Sequence, residues 1–196
     1  MKHGERGHQV CVLVTTEGEM GGDPGWGREE QFGSNRIVEV QNPFWGGYKD
    51  TRLPLNKVII TLTGGVIKEV SPQMIFVHFL DYSHQDHRIL AEAPIPATRY
   101  VKNILFYEMP TTQNFSPTVF VDINDVLEKK DITLSVHASQ VVKTNIEGTY
   151  IIDIGRASAT FRGMLGRIRN AEGFLHLRLF ISTRFHIQNL SWTTRT

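Results

Sequence analysis

The chain has 196 residues, of which 40% are hydrophobic and 21% charged, and its formal net charge is +1. This length suits a single domain spanning residues 1–196 with a full core. The balanced charge excludes a basic nucleic-acid-binding protein, and no apolar run reaches the ~18 residues of a membrane span. Met1 to Gly7 lacks the apolar core of a secretory signal, so a cytoplasmic location is expected. The single cysteine, Cys11, has no internal disulfide partner and reads as a small core residue.

In chain order, His8 to Thr16 is a continuous apolar, β-branched run, which predicts a strand buried on both faces, as in a parallel sheet. A glycine-rich loop over 17–27 follows. It has neither the GxGxxG spacing nor the GK[ST] ending of a phosphate cradle. Arg28 to Phe32 could open a helix that Gly33-Ser34-Asn35 weakens. Ile37 to Val40 reads as a short strand, and Pro43 to Asp50 as a loop carrying Phe44, Trp45 and Tyr48. Asn56 is an N-cap for a helix reaching about Val70, with Pro72 beyond it.

Met74 to Phe79 is the most strand-like run of the middle of the chain, and Leu80-Asp81-Tyr82-Ser83-His84-Gln85-Asp86-His87-Arg88 follows it. In an open parallel α/β sheet, ligands bind at the edge where such strands end. If a helix begins at His84, then His84 and His87 share one face, with Cβ atoms about 5–6 Å apart. That spacing suits one metal ligand beside one electrostatic group. A polar strand-to-helix turn with a capping aspartate is an equally good reading.

Arg88 to Ala93 continues as helix until Pro94 and Pro96 break it. Strands are predicted over 103–108 and 119–123, with a polar loop between them, then a helix from Asn124 or Asp125 to about Gln140. Gly148 to Ile154 reads as a strand-like connection. The segments 157–165 and 171–180 read as two short helices or as a helix and a strand, and 182–196 as a tail without periodicity. Strands alternating with helices predict an α/β fold with parallel core strands.

The series of short segments also resembles a known family. It runs through Gly7-His8-Gln9-Val10, Thr16-Glu17-Gly18-Glu19, Lys49-Asp50-Thr51-Arg52, Asp81-Tyr82-Ser83-His84-Gln85-Asp86-His87, Ile104 to Glu108, Asn114 to Pro117, Phe120-Val121-Asp122-Ile123 and His137-Ala138-Ser139-Gln140. In this order they resemble the LmbE-like, or PIG-L, N-acetylglucosaminyl deacetylase family. The resemblance implies a Rossmann-like three-layer domain with a mostly parallel sheet. It also implies zinc-dependent removal of an N-acetyl group from an amino-sugar conjugate, and a homo-oligomer. By motif match, His87 is a zinc ligand and His84 the cationic histidine that stabilises the oxyanion. Asp50 and Arg28 are similar to positions that contact sugar hydroxyls, although a loop cap explains Asp50 equally and a solvated helix start explains Arg28 better. Asp86 either orients a histidine through the ring's other nitrogen or caps the helix.

One departure is large. The family's first motif, a His-Pro-Asp-Asp run after the central strand of the sheet, does not occur in the sequence. That motif supplies a histidine ligand, the aspartate ligand and the general base. The expectation is therefore a sheet without its first strand. Three explanations stand side by side: a chain shorter than the full gene product, an inactive relative that binds a sugar conjugate, or a vacancy filled by another element or subunit.

Overall fold

The computed structural model describes residues 1–18, 24–141, 144 and 146–181. The tail 182–196 and the middle of the glycine-rich loop lie outside the described residues. The elements run α1 (Lys2–Glu5), β1 (Val10–Thr16), α2 (Pro24–Val38), β2 (Val40–Tyr48), α3 (Lys57–Val70), β3 (Met74–His78), α4 (Gln85–Glu92) and α5 (Pro94–Ala97). They continue with β4 (Asn103–Tyr107), β5 (Val119–Asp122), α6 (Leu127–Val136), α7 (Ala138–Val141), α8 (Ile151–Gly166) and β6 (Ala171–Arg178).

The architecture is a Rossmann-like α/β fold, as the alternation of strands and helices predicts. The expected parallel sheet is divided, however. β1 and β2 form a two-stranded parallel sheet, and β3-β4-β6-β5 form a four-stranded one. In the larger sheet β3 and β4 are parallel, while β6 runs antiparallel to both of its neighbours. Among the described residues no strand joins β1 to β3. Side chains bridge them instead: the His3 ring packs 5.9 Å from Phe76 of β3, and His3 Nδ1 lies 2.8 Å from Nδ1 of His8, just ahead of β1.

Alternate residues of β3 and β4 make the main core. Val77, Ile104 and Phe106 are buried with Val101, and Ile67 of α3 and Ile95 of α5 pack on them. Each such side chain contributes about 1.5–3 kcal/mol by leaving water. A second cluster of Leu53, Ile59 and Ala93 sits under Tyr48 and Ile89, so the loops after β2 and β3 share a floor. Asn56 caps α3 as expected, its Oδ1 accepting from Val58 N at 2.9 Å and from Ile59 N at 3.4 Å. α4 ends at Glu92, as the prolines predict, and Pro94 opens the separate short helix α5 at its first turn, where a missing N–H costs nothing.

Three local expectations are corrected. Ile37 and Val38 close α2 rather than forming a strand, and Gly33 to Asn35 lie inside that helix. The aromatic loop 43–50 is mostly strand β2, because its backbone pairs with β1 from Val40 to Tyr48. Gly46 permits this: a Cβ there would stand 2.9 Å from Thr15 Cα. Pro43 is tolerated because β2 is an edge strand among the described residues. Ile151 to Ile154 form the start of α8, not a strand, held by Asp153 Oδ2 accepting from Tyr150 N at 3.0 Å. The segment 171–180 resolves as strand β6.

Candidate active site

β3 ends at His78, and the turn 79–84 leads into α4, whose N-cap is His84 with extended backbone (φ −84°, ψ 130°). Arg88 holds this turn by donating Nη1–H to the carbonyls of Tyr82 and Ser83, each at 2.8 Å. His84 therefore stands exposed at the helix start, with His87 one turn on. Their rings are 5.2 Å apart and nearly perpendicular, at 76°.

His87 is partly buried. Tyr82 stacks on it at 4.6 Å and 15°, and His78 meets it edge-on at 4.8 Å. Its Nδ1 is buried and has no hydrogen-bond partner. Burial lowers its pKa, the charge of His84 lowers it further, and the carboxylates of Asp86 and Asp50 pull the other way.

Asp50 and Asp86 come together on one amide. Thr51 N donates to Asp50 Oδ1 at 2.9 Å and to Asp86 Oδ2 at 2.7 Å, and the Gln85 amide donates to Thr51 O. The first turn of α4 thus grips both ends of the Thr51 peptide unit. This grip holds a β-branched residue at φ +64°, a conformation it rarely adopts. It also joins the loop after β2 to the helix after β3, across the divide between the sheets. Asp86 is buried, with its second oxygen unpartnered. Its recorded bond goes to the Thr51 amide rather than to a histidine.

Arg28 lies apart from this group. Its guanidinium sits 4.7 Å over the Trp45 ring and 3.5 Å from Glu17 Oε1. Trp45 also packs against Phe32 at 5.6 Å, so this aromatic is half-buried, while Trp26 is exposed.

Sequence reasoning missed three features. The first is His78, whose Nε2 lies 3.0 Å from the Tyr107 hydroxyl. The second is the strap 108–118, which runs antiparallel to the turn. Ser83 and Thr111 share a hydroxyl bond of 2.6 Å, Tyr82 bridges to Thr112, Gln113 N donates to Asp81 O at 2.9 Å, and Asn114 Nδ2 to Asp81 Oδ2 at 2.6 Å. The third is Thr51. No local pattern marks any of them, since each depends on which strands are neighbours. His137, by contrast, caps α6 beside Glu30, which bonds the Ser139 amide and hydroxyl.

A catalytic zinc site takes three protein ligands and an open position. Among the described residues no group of three His, Cys, Asp or Glu side chains is placed to hold a metal ion. His87 offers an imidazole, but Asp86 is turned to the Thr51 amide and His84 stands edge-on to His87. The described residues do not by themselves fit the zinc that the family resemblance implies.

Burial pushes the His78 pKa down to about 3, and the neighbouring His87 adds to the shift. The folded state keeps His78 neutral, whereas the unfolded chain binds a proton below about pH 6.5. Protons therefore favour unfolding throughout the window from about 6.5 down to about 3, and stability is fullest above it. Each pH unit inside the window costs up to about 1.4 kcal/mol from this one group. Urea unfolding at pH 5 is expected to give about 2 kcal/mol less stability than at pH 7, a difference that His78→Phe reduces. Equal stabilities at the two pH values would contradict the buried, neutral state.

No helix among the described residues is long and apolar enough to cross a membrane. The family model described as PIG-L, GlcNAc-PI de-N-acetylase, matches residues 1–98. The chain is 30% identical over 131 residues to the uncharacterized deacetylase YaiS of Escherichia coli (strain K12), covering 62% of this chain and 70% of the relative. Among solved structures, N,N'-diacetylchitobiose deacetylase from Pyrococcus horikoshii matches 90% of this chain and 75% of that one, with TM-score 0.77 and 24% identity. The 4-carboxy-2-hydroxymuconate hydratase GalB from Pseudomonas putida KT2440 matches 94% and 90%, with TM-score 0.74 and 17% identity. These two likenesses show the fold alone, and since one of the two proteins is a hydratase, the fold does not set the reaction. The matched half of the sequence carries β1, the Thr51 loop and the His84–His87 turn, and the chain belongs to the PIG-L family of de-N-acetylases.

Proposed function

We propose that this chain acts on the acetamido group of an N-acetylglucosamine-containing conjugate, cleaving it to acetate and a free amine. The observation that carries this reading is the His84–His87 pair, presented at the C-terminal end of β3 in a de-N-acetylase family chain. In such a hydrolysis water adds to the acyl carbon, the acyl oxygen takes up negative charge, and the C–N bond then breaks. The exposed His84 ring donates an N–H to that oxygen. Asp50 and Asp86, held on the Thr51 amide, fix the loop after β2 against the start of α4. Arg28, set apart over the Trp45 ring, is the candidate contact for a sugar hydroxyl. A small amino-sugar conjugate as substrate, a cytoplasmic setting and a homo-oligomeric state complete the proposal.

A second reading has its own support. Without three metal donors among the described residues, the chain suits a relative that binds a sugar conjugate without hydrolysing it. Zinc dependence separates the two. The purified 196-residue chain is dialysed against metal-free buffer, its zinc per subunit is measured, and amine release from an N-acetylglucosamine conjugate is followed with and without a chelator. Near one zinc per subunit, with release abolished by chelation and by His87→Ala, supports the hydrolase. Binding of the conjugate without release supports the second reading. Turnover indifferent to chelators rules out zinc-dependent hydrolysis.

A further inference from the structure

We propose that His78, locked by Tyr107, is the positioning residue that sets the orientation of the His87 ring. The inference rests on the proposed reading of the His84–His87 pair as the working part of the site.

A functional histidine is normally oriented by a hydrogen bond from its second ring nitrogen to a carboxylate or a carbonyl. His87 lacks that support, because its Nδ1 is buried and unpartnered. Ring contacts take its place. Tyr82 stacks on one side, His84 approaches edge-on, and His78 meets the ring edge-on at 77°. Tyr82 and His84 belong to the same turn and helix start as His87, so neither gives His87 a reference from outside its own segment. His78 does, because it is the last residue of β3 and is tied into the sheet by register.

That tie is specific. His78 and Tyr107 are direct register partners at the ends of β3 and β4. Their rings lie 4.8 Å apart, and the Tyr107 hydroxyl is 3.0 Å from His78 Nε2. β4 is central in its sheet, flanked by β3 and β6. A continuous set of contacts therefore runs from the middle of the sheet through Tyr107 and His78 to the edge of His87. A hydroxyl at position 107 fixes the rotation of the His78 ring, which packing alone would leave free to flip. His78 itself is partly buried and acts through its ring contact with His87.

The test reads the ring directly and needs no turnover. The full chain is labelled at histidine, and the His87 ring signals are assigned by their loss in His87→Gln. In the wild-type chain they are expected as one set, shifted upfield by the Tyr82 face. His78→Ala is expected to broaden them and move them toward free-imidazole positions, while His78→Phe, which keeps an edge-on ring, restores them. Tyr107→Phe removes one hydroxyl and little packing, and is expected to shift them in the same direction by less. It keeps the test decisive if His78→Ala fails to fold. His87 signals unchanged in Tyr107→Phe and in every folded His78 variant would overturn the proposal. If the ring responds as expected but no amine is ever released, the positioning stands and the deacetylase reading falls.

Discussion

Replacing His84 with alanine is expected to lower amine release by about 10²–10³-fold, the usual cost of losing one oxyanion donor. The residue is exposed and caps α4 without a side-chain hydrogen bond. Its removal should therefore change stability by no more than about 0.5 kcal/mol, as for surface substitutions elsewhere. Loss of activity without loss of stability is the signature of a group used in the transition state. For such a group, kcat and kcat/KM fall together while KM holds. Steady-state kinetics and urea unfolding on the same preparation check both halves. A rise in KM alone would show His84 to be a binding contact. Unchanged kinetics would remove it from the chemistry.

The second large effect concerns the strap. Arg162 of α8 donates Nε–H and Nη2–H to the two oxygens of Glu108, each at 2.6 Å, and the pair is mostly buried, with side chains 12% and 21% exposed. The same guanidinium lies 5.5 Å from the Phe115 ring, so one cation pins both ends of the strap 108–118. Glu108→Ala leaves that cation largely buried without its counter-ion, which costs about 3 kcal/mol. Urea unfolding should show a lower midpoint with an unchanged slope. The strap bonds Asp81, Tyr82 and Ser83 in turn, so loosening it also loosens the turn that presents His84. Activity is then expected to fall in Glu108→Ala even under conditions where the variant is fully folded. A loss below about 1 kcal/mol would mean that Arg162 finds other partners or water, and that the pair is not the anchor.

Much of the fold was legible because its causes are local. The β-branched run before Thr16, the capping side chain of Asn56 and the short apolar runs at 74–79, 103–108 and 119–123 each carry their own signal within a few residues. The His84–His87 pair was legible for the same reason, since helical periodicity places positions i and i+3 on one face. The segment 43–48 was misread because its conformation depends on pairing with β1, and Gly46 reads as a loop residue until Thr15 lies against it. Ile151 to Ile154 were misread because isoleucines favour strands by local preference, whereas here Asp153 starts a helix by accepting from Tyr150 N.

By itself the sequence determined an α/β domain of a de-N-acetylase family, with a histidine pair at the end of its third strand. Only the tertiary structure decided what surrounds that pair. It set Asp50 and Asp86 on one Thr51 amide, laid the strap along the turn, and aligned Tyr107 with His78 behind His87. The Thr51–Asp86, Tyr107–His78 and Asn114–Asp81 contacts join residues 35, 29 and 33 positions apart, and their existence depends on strand order and register. A chain's local pattern encodes which residues form a strand, but which strands lie side by side follows from burying all their faces together.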